Sequence, residues 1–164
     1  MWIHHVLLFA MIISYSIPII YVYQKFQTNT TLSDIICDTS CKNTILYSMC
    51  LMGFFTILYE LQRNDIESII YILIILFSIY GLLENGVETL YHFGYAILCL
   101  FCIFFFMVHH TFLTNSKILF IFTLFNYGII CFMITMIQED IIICECAFLF
   151  FFAVFYIYLH FLSS

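Results

Sequence analysis

Six apolar stretches alternate with short polar segments along the chain. Each stretch is close to the roughly 20 residues that an α-helix needs to cross about 30 Å of hydrocarbon. The polar breaks include Gln24-Lys25, Gln62-Arg63-Asn64-Asp65, Glu84-Asn85-Gly86, Thr114-Asn115-Ser116-Lys117 and Gln138-Glu139-Asp140. The pattern predicts six membrane-spanning helices, at about residues 2–23, 44–61, 66–83, 90–108, 118–137 and 141–162.

Helices are predicted rather than strands because backbone groups in lipid have no water to bond and must satisfy one another within the segment. A membrane barrel strand alternates lipid-facing and polar residues over about ten positions, whereas these stretches are apolar on all sides. The second and third spans are slightly short. Four or five crossings are the alternative, with four full crossings if this pair forms a re-entrant hairpin.

The composition supports a lipid-embedded chain. Hydrophobic residues make up 65% of it and charged residues 9%, against about 25% charged in soluble domains; the mean hydropathy is +1.13. We therefore predict one all-α transmembrane domain over residues 1–164. The net charge is −6 with four Lys and Arg in total, which excludes the basic surface that nucleic-acid binding requires.

The loop at residues 24–43 indicates an orientation. It contains Asn29-Thr30-Thr31, an N-glycosylation pattern that is used only on the lumenal side. Cys37 and Cys41 could close a disulfide there, because disulfides persist in oxidising compartments. Basic residues are tied between the two faces, so the positive-inside rule does not decide. These features favour a lumenal loop and two cytosolic termini, in an endomembrane, the plasma membrane or, for a viral protein, a host-cell membrane.

Glu84, Glu88 and His92 form the most distinctive group of candidate site residues. Their spacing of four would align two carboxylates and an imidazole on one face of a continuous helix. Such a group could bind a divalent metal or relay a proton. The alternative is a polar turn between the third and fourth spans, since Asn85-Gly86 is a strong turn signal.

Few other polar side chains lie within the spans. Asn126 is near the middle of the fifth span and Glu145 is about one turn into the sixth. We expect Asn126 to hydrogen-bond a neighbouring helix and Glu145 to reach towards the headgroups. Adjacent histidines, as in His4-His5 and His109-His110, point in different directions on a helix and are poor two-point ligands. No catalytic residue, metal site or cofactor is assigned.

The chain resembles the six-span family of the damage-regulated autophagy modulators and their relatives in GPI-lipid remodelling. The resemblance depends on Ser33-Asp34 in the first loop, on the short loop after the third span, and on His92 followed by Ala96. The short first loop and the minimal cytosolic loops depart from that family. The resemblance implies a protein that organises lipids or assists autophagy, with no catalytic residues to carry over.

Three functions remain open from the sequence. The first is a non-enzymatic membrane protein that associates with lipids, with partner helices or with copies of itself. The second is a small channel or transporter acting as a homo-oligomer, which would need a polar pathway through the spans. The third is an intramembrane metal- or proton-dependent enzyme that uses Glu84, Glu88 and His92. The scarcity of charged residues in the spans favours the first.

Overall fold

The computed structural model describes residues 2–25, 42–86, 89–135 and 141–163. These residues form six α-helices, and no strand occurs among them. The helices are α1 (Trp2–Lys25), α2 (Lys42–Arg63), α3 (Ile66–Glu84), α4 (Leu90–Thr114), α5 (Lys117–Thr135) and α6 (Ile141–Ser163). The prediction of an all-α transmembrane protein is confirmed.

Five of the described helices, α2 to α6, are long and apolar enough to cross a membrane. They include the two slightly short predicted spans, since α2 has 22 residues and α3 has 19. In α1 the described apolar segment, Ile3–Ile17, is shorter than the other five. A sixth crossing by α1 therefore stays a prediction.

The helices extend beyond several of the predicted boundaries. α2 begins at Lys42, and α4 continues through His109 and His110 to Thr114, past the predicted end at 108. A helix can continue into the headgroup region because its hydrogen bonds are internal to the segment. Hydropathy marks where lipid contact ends, whereas the helix itself ends at a cap or a turn.

The described helices fall into two compact units, Met1–Cys99 and Leu100–Ser164. The prediction of one domain over residues 1–164 stays a prediction. In the first unit, α1 packs against α2 and α2 packs against α3. A buried cluster of Ile45, Met49 and Leu83 joins α2 to α3. Tyr21, from α1, packs against this cluster, so that apolar contacts connect all three helices.

A tight turn joins α2 to α3. Asn64 has a φ of 58°, a left-handed conformation that Asn tolerates better than most residues. Asp65 is the N-cap of α3, and its Oδ1 accepts a 3.1 Å hydrogen bond from the backbone N–H of Ser68. At the other end of this antiparallel pair, Lys42 Nζ lies 3.0 Å from Glu84 Oε1.

Gly81 allows α3 to approach the first turns of α4 closely. A Cβ at this position would lie 2.5 Å from Cδ1 of Tyr95, within the space of the aromatic ring. The Tyr95 ring also makes an edge contact with Phe77, at a centroid distance of 5.8 Å. Glycine is therefore required here by the close approach of a side chain rather than by backbone conformation.

We expect Gly81→Ala to lower the free energy of unfolding by about 1–3 kcal/mol, the usual cost of overpacking. Gly94→Ala is the matched control, because a Cβ at Gly94 meets nothing within 4 Å and alanine is the better helix former by about 1 kcal/mol. Unfolding by SDS in mixed micelles, followed by circular dichroism, measures both variants. Equal stabilities would show that Tyr95 moves aside without cost.

The second unit contains residues 100–114 of α4 together with α5 and α6. Phe104 lies against Tyr127, with ring centroids 5.8 Å apart, and the Thr111 and Thr123 hydroxyl oxygens are 2.9 Å apart. These contacts make α4 and α5 antiparallel. Rings stacked at 5.5 Å join Phe125 of α5 to Phe151 of α6. Aromatic contacts thus connect the helices of this unit.

Candidate functional site

The turn between α3 and α4 separates the three residues that the sequence aligns on one face. α3 ends at Glu84 and α4 begins at Leu90, so the continuous helix that this alignment requires is not formed. Asn85 is extended, with φ −108° and ψ 135°. The alternative of a turn at Asn85-Gly86 is confirmed, while Glu88 lies outside the described residues.

Hydrogen bonds within the turn hold its polar side chains. Asn85 donates from Nδ2 to the carbonyl oxygen of Gly81 at 2.7 Å. Thr89 Oγ1 accepts from the backbone N–H of His92 at 3.2 Å, which is the geometry of an N-cap. His92 Nδ1 lies 3.3 Å from the carbonyl oxygen of Asn85; because a carbonyl only accepts, Nδ1 carries the proton.

Glu84 and His92 therefore contact different partners. The Glu84 side chain is 45% exposed and pairs with Lys42, whereas His92 is 2% exposed and contacts the turn. The described geometry gives His92 a capping and bridging position between α3 and α4. The Glu84 carboxylate and the His92 imidazole do not face a common position at which both could bind the same ligand.

A second group of polar residues lies at the opposite end of α2, next to the polar break Gln62-Arg63-Asn64-Asp65. This buried polar cluster consists of His4, Tyr59, Glu60 and Arg63. Arg63 Nη1 lies 3.5 Å from Glu60 Oε1, and the two side chains are 8% and 0% exposed. The guanidinium carbon lies 5.9 Å from the ring centroid of Tyr59, and the His4 ring meets Tyr59 edge-on at 5.1 Å.

The buried polar cluster contains an ion pair within α2 that has little access to solvent, and the contact of His4 with Tyr59 joins the cluster to α1. A guanidinium above an aromatic face gains a cation–π attraction that is larger when the groups are desolvated. A spacing of three places Glu60 and Arg63 on one face of α2. The approach of His4 could not be predicted, because nothing in the apolar pattern of α1 specifies which of its faces meets α2.

Asn126 is fully buried in the second unit, and its amide nitrogen contacts two other helices. Nδ2 lies 3.0 Å from Met107 Sδ of α4 and 3.3 Å from the carbonyl oxygen of Phe148 in α6. This agrees with the expected hydrogen bond to a neighbouring helix. The buried Oδ1 has no hydrogen-bond donor in the part of the chain that the structure describes.

The remaining predicted site residues are placed as follows. Glu145 is half-buried in the second turn of α6. Asn29, Cys37 and Cys41 lie outside the described residues, so glycosylation and the disulfide stay predictions. His110 and His160, which the sequence places at span ends, are both fully buried.

Comparisons with protein-family models, with functionally characterised proteins and with solved structures found no match. The class of this protein therefore follows from its helices. Five described helices have the length and composition of membrane spans, which makes the chain a multi-pass integral membrane protein.

Proposed function

We propose that this protein is a non-enzymatic membrane protein that organises lipids, and through them partner proteins, in an endomembrane or the plasma membrane. The observation that favours this function is a groove in the second unit between α4 and α5, with a cavity volume of about 170 Å³. Its walls include Phe104, Phe112, Phe120, Leu124 and Tyr127. We refer to it below as the aromatic groove.

The position of the aromatic groove favours a lipid acyl chain as its occupant. It opens on two helices with the composition of membrane spans, so hydrocarbon is the medium that meets it. Phe112 is 81% exposed and Phe120 57% exposed in the chain alone. In lipid, association is driven by close van der Waals packing rather than by exclusion of water, and a groove offers an acyl chain more such contacts than a flat helix face.

The polar residues also favour a non-enzymatic role. Glu84 pairs with Lys42, and His92 contacts Asn85, which are structural contacts for two of the three residues of the enzyme hypothesis.

The resemblance to the damage-regulated autophagy modulators is compatible with lipid organisation, and membership of that family is part of the proposal. So is the orientation with both termini cytosolic, which accessibility labelling of cysteines introduced into the loops tests directly.

Photo-crosslinking tests lipid binding at the aromatic groove. We expect reconstitution with a phosphatidylcholine that carries a diazirine on its acyl chain to concentrate adducts on peptides containing Phe104 and Tyr127. Leu124→Trp should reduce this labelling, because a larger ring at a lining position fills the groove. Mass spectrometry of the labelled peptides is the measurement.

Ile121→Trp is the matched control for Leu124→Trp. Ile121 is 50% exposed and Leu124 57% exposed on the same helix, but only Leu124 lines the aromatic groove. Ile121→Trp should therefore leave the adduct pattern unchanged. Uniform labelling along all lipid-facing helices, or equal effects of the two tryptophans, would contradict a specific lipid site.

A further inference from the structure

The two ends of the aromatic groove differ in polarity. Its lining residues on α5 run from Phe120 to Tyr127, a rise of roughly 10 Å along the helix. One end is close to the turn between α4 and α5, where Asn115-Ser116-Lys117 belongs to the polar break between the two spans. The other end, at Tyr127, lies about two turns further along an apolar helix. An occupant of the groove therefore meets polar surroundings at the α4–α5 turn.

The hydroxyl groups of the groove are engaged within the protein. Thr123 donates to the carbonyl oxygen of Leu119 at 2.9 Å, so the 2.9 Å contact between Thr111 and Thr123 is one in which Thr111 donates. Both threonines are buried. At the end away from the turn, the Tyr127 hydroxyl is hydrogen-bonded to Cys131. The walls thus offer hydrocarbon contacts, and the polar part of an occupant has to lie at the α4–α5 turn.

Lys117 places a positive charge at this polar end. It is the first residue of α5 and precedes the lining residues Phe120 and Leu124 by three and seven positions, which is the spacing of one helix face. Lys117 is exposed, and its ammonium forms no ion pair within the part of the chain that the structure describes. A lysine near the end of a membrane helix extends its ammonium towards the headgroups. Lys117 can therefore meet the headgroup of a lipid whose chain lies in the groove.

The charges of the second unit make this end selective for an anion. Lys117 is the sole Lys or Arg in residues 100–164. Glu145 is the acidic residue of this unit among those that the structure describes, and it is one turn from Phe148, whose carbonyl meets Asn126. Lys117 is nine residues from Asn126, a rise of roughly 14 Å. The positive charge of Lys117 is therefore not compensated at its own level by a described carboxylate.

We propose that the aromatic groove and Lys117 bind an anionic phospholipid, with an acyl chain in the groove and the headgroup at the Lys117 ammonium. The inference rests on the proposed function and names its lipid class. Charge complementarity favours this class, because a zwitterionic headgroup also carries a cation that Lys117 repels. In the proposed orientation, with six crossings and both termini cytosolic, the α4–α5 turn faces the cytosolic leaflet, which contains the anionic lipids.

Two photoreactive lipids with the same diazirine acyl chain, a phosphatidylserine and a phosphatidylcholine, test the selectivity. Each is added in trace amount to phosphatidylcholine vesicles that contain the full chain, and mass spectrometry quantifies the adducts on peptides containing Phe104 and Tyr127. We expect the serine lipid to label these peptides about five times as strongly, which corresponds to about 1 kcal/mol for one lysine near an anionic surface. High salt should reduce this preference, because salt screens exposed charges.

Charge variants of Lys117 assign the preference to its ammonium. Lys117→Gln should abolish the preference for the serine lipid and leave labelling by the choline lipid unchanged, whereas Lys117→Arg should retain the preference. Lys42→Gln is the matched control, because Lys42 is also the first residue of its helix but belongs to the first unit. It should behave as wild type. Equal labelling of wild type by the two lipids, or a preference that survives Lys117→Gln, would overturn the proposal.

The same experiment separates this proposal from the proposed function. If both lipids label the groove equally, the lipid site stands and its selectivity for an anionic headgroup is excluded. If neither lipid is concentrated at the groove, both proposals fail. Leu124→Trp should reduce labelling by both lipids because it fills the groove, while Lys117→Gln should reduce labelling by the serine lipid alone.

Discussion

Glu60→Gln is expected to lower the free energy of unfolding by about 3 kcal/mol, the order of the cost of removing one partner from a buried ion pair. Glu60 is fully buried and its carboxylate lies 3.5 Å from Arg63. The substitution keeps the size of the side chain but leaves the guanidinium in a desolvated position without that carboxylate. Unfolding by SDS in mixed micelles measures the change.

Glu84→Gln is the matched control, since it neutralises a glutamate of a second ion pair that is more exposed to solvent. The Lys42 side chain is 33% exposed and the Glu84 side chain is 45% exposed. Ion pairs exposed to solvent contribute about 0.2–1 kcal/mol to stability. We therefore expect a change of less than 1 kcal/mol. If Glu84→Gln lowered the free energy of unfolding as much as Glu60→Gln, solvent exposure would not determine how much these two ion pairs contribute to stability.

A double variant separates the ion pair from the packing of the Glu60 side chain. Glu60→Gln combined with Arg63→Gln removes both charges, so that no unpaired charge is left in a desolvated position. The double variant should therefore be more stable than Glu60→Gln alone. Additive losses would contradict a coupling between the two side chains.

The helices were predictable because one physical constraint determines them. A long apolar segment in lipid must satisfy its own backbone hydrogen bonds, so hydropathy alone indicates helix. The ends were less predictable, since His109 and His110 are polar but remain within α4. Local signals succeeded where they involve few residues, as in the break at Asn85-Gly86.

The polar clusters could not be predicted for a different reason. The helices are apolar on nearly all sides, so the sequence does not specify which faces meet, and the contact of His4 with Tyr59 depends on that choice. The contacts of Asn126 with Met107 and Phe148 likewise depend on which faces of three helices meet. Both arrangements arise from side-chain packing between helices distant in sequence, which a single hydropathy profile does not contain.

Asn126→Asp is expected to destabilise the second unit by about 3 kcal/mol, the order of the cost of placing Asp at the centre of a membrane helix. The Nδ2 atom of Asn126 faces Met107 Sδ and the Phe148 carbonyl oxygen, both of which accept hydrogen bonds. An oxygen in its place repels both of them unless the carboxyl is protonated. Asn115→Asp is the matched control, because Asn115 is exposed and its φ of 50° also suits Asp.

Asn126→Leu should be far milder, with a change of about 1 kcal/mol or less. Hydrogen bonds between membrane helices contribute about 0.6 kcal/mol on average, and leucine also removes Oδ1, a buried oxygen without a donor among the described residues. In the leucine variant, the loss of the Nδ2 hydrogen bonds destabilises the protein, and the removal of the buried oxygen stabilises it. Aspartate also loses the Nδ2 hydrogen bonds, but it adds a second buried oxygen. The order of stability should be wild type and Asn126→Leu together, then Asn126→Asp, in SDS unfolding. If leucine is as damaging as aspartate, the hydrogen bonds to α4 and α6 dominate; if aspartate is tolerated, water reaches the centre of this unit.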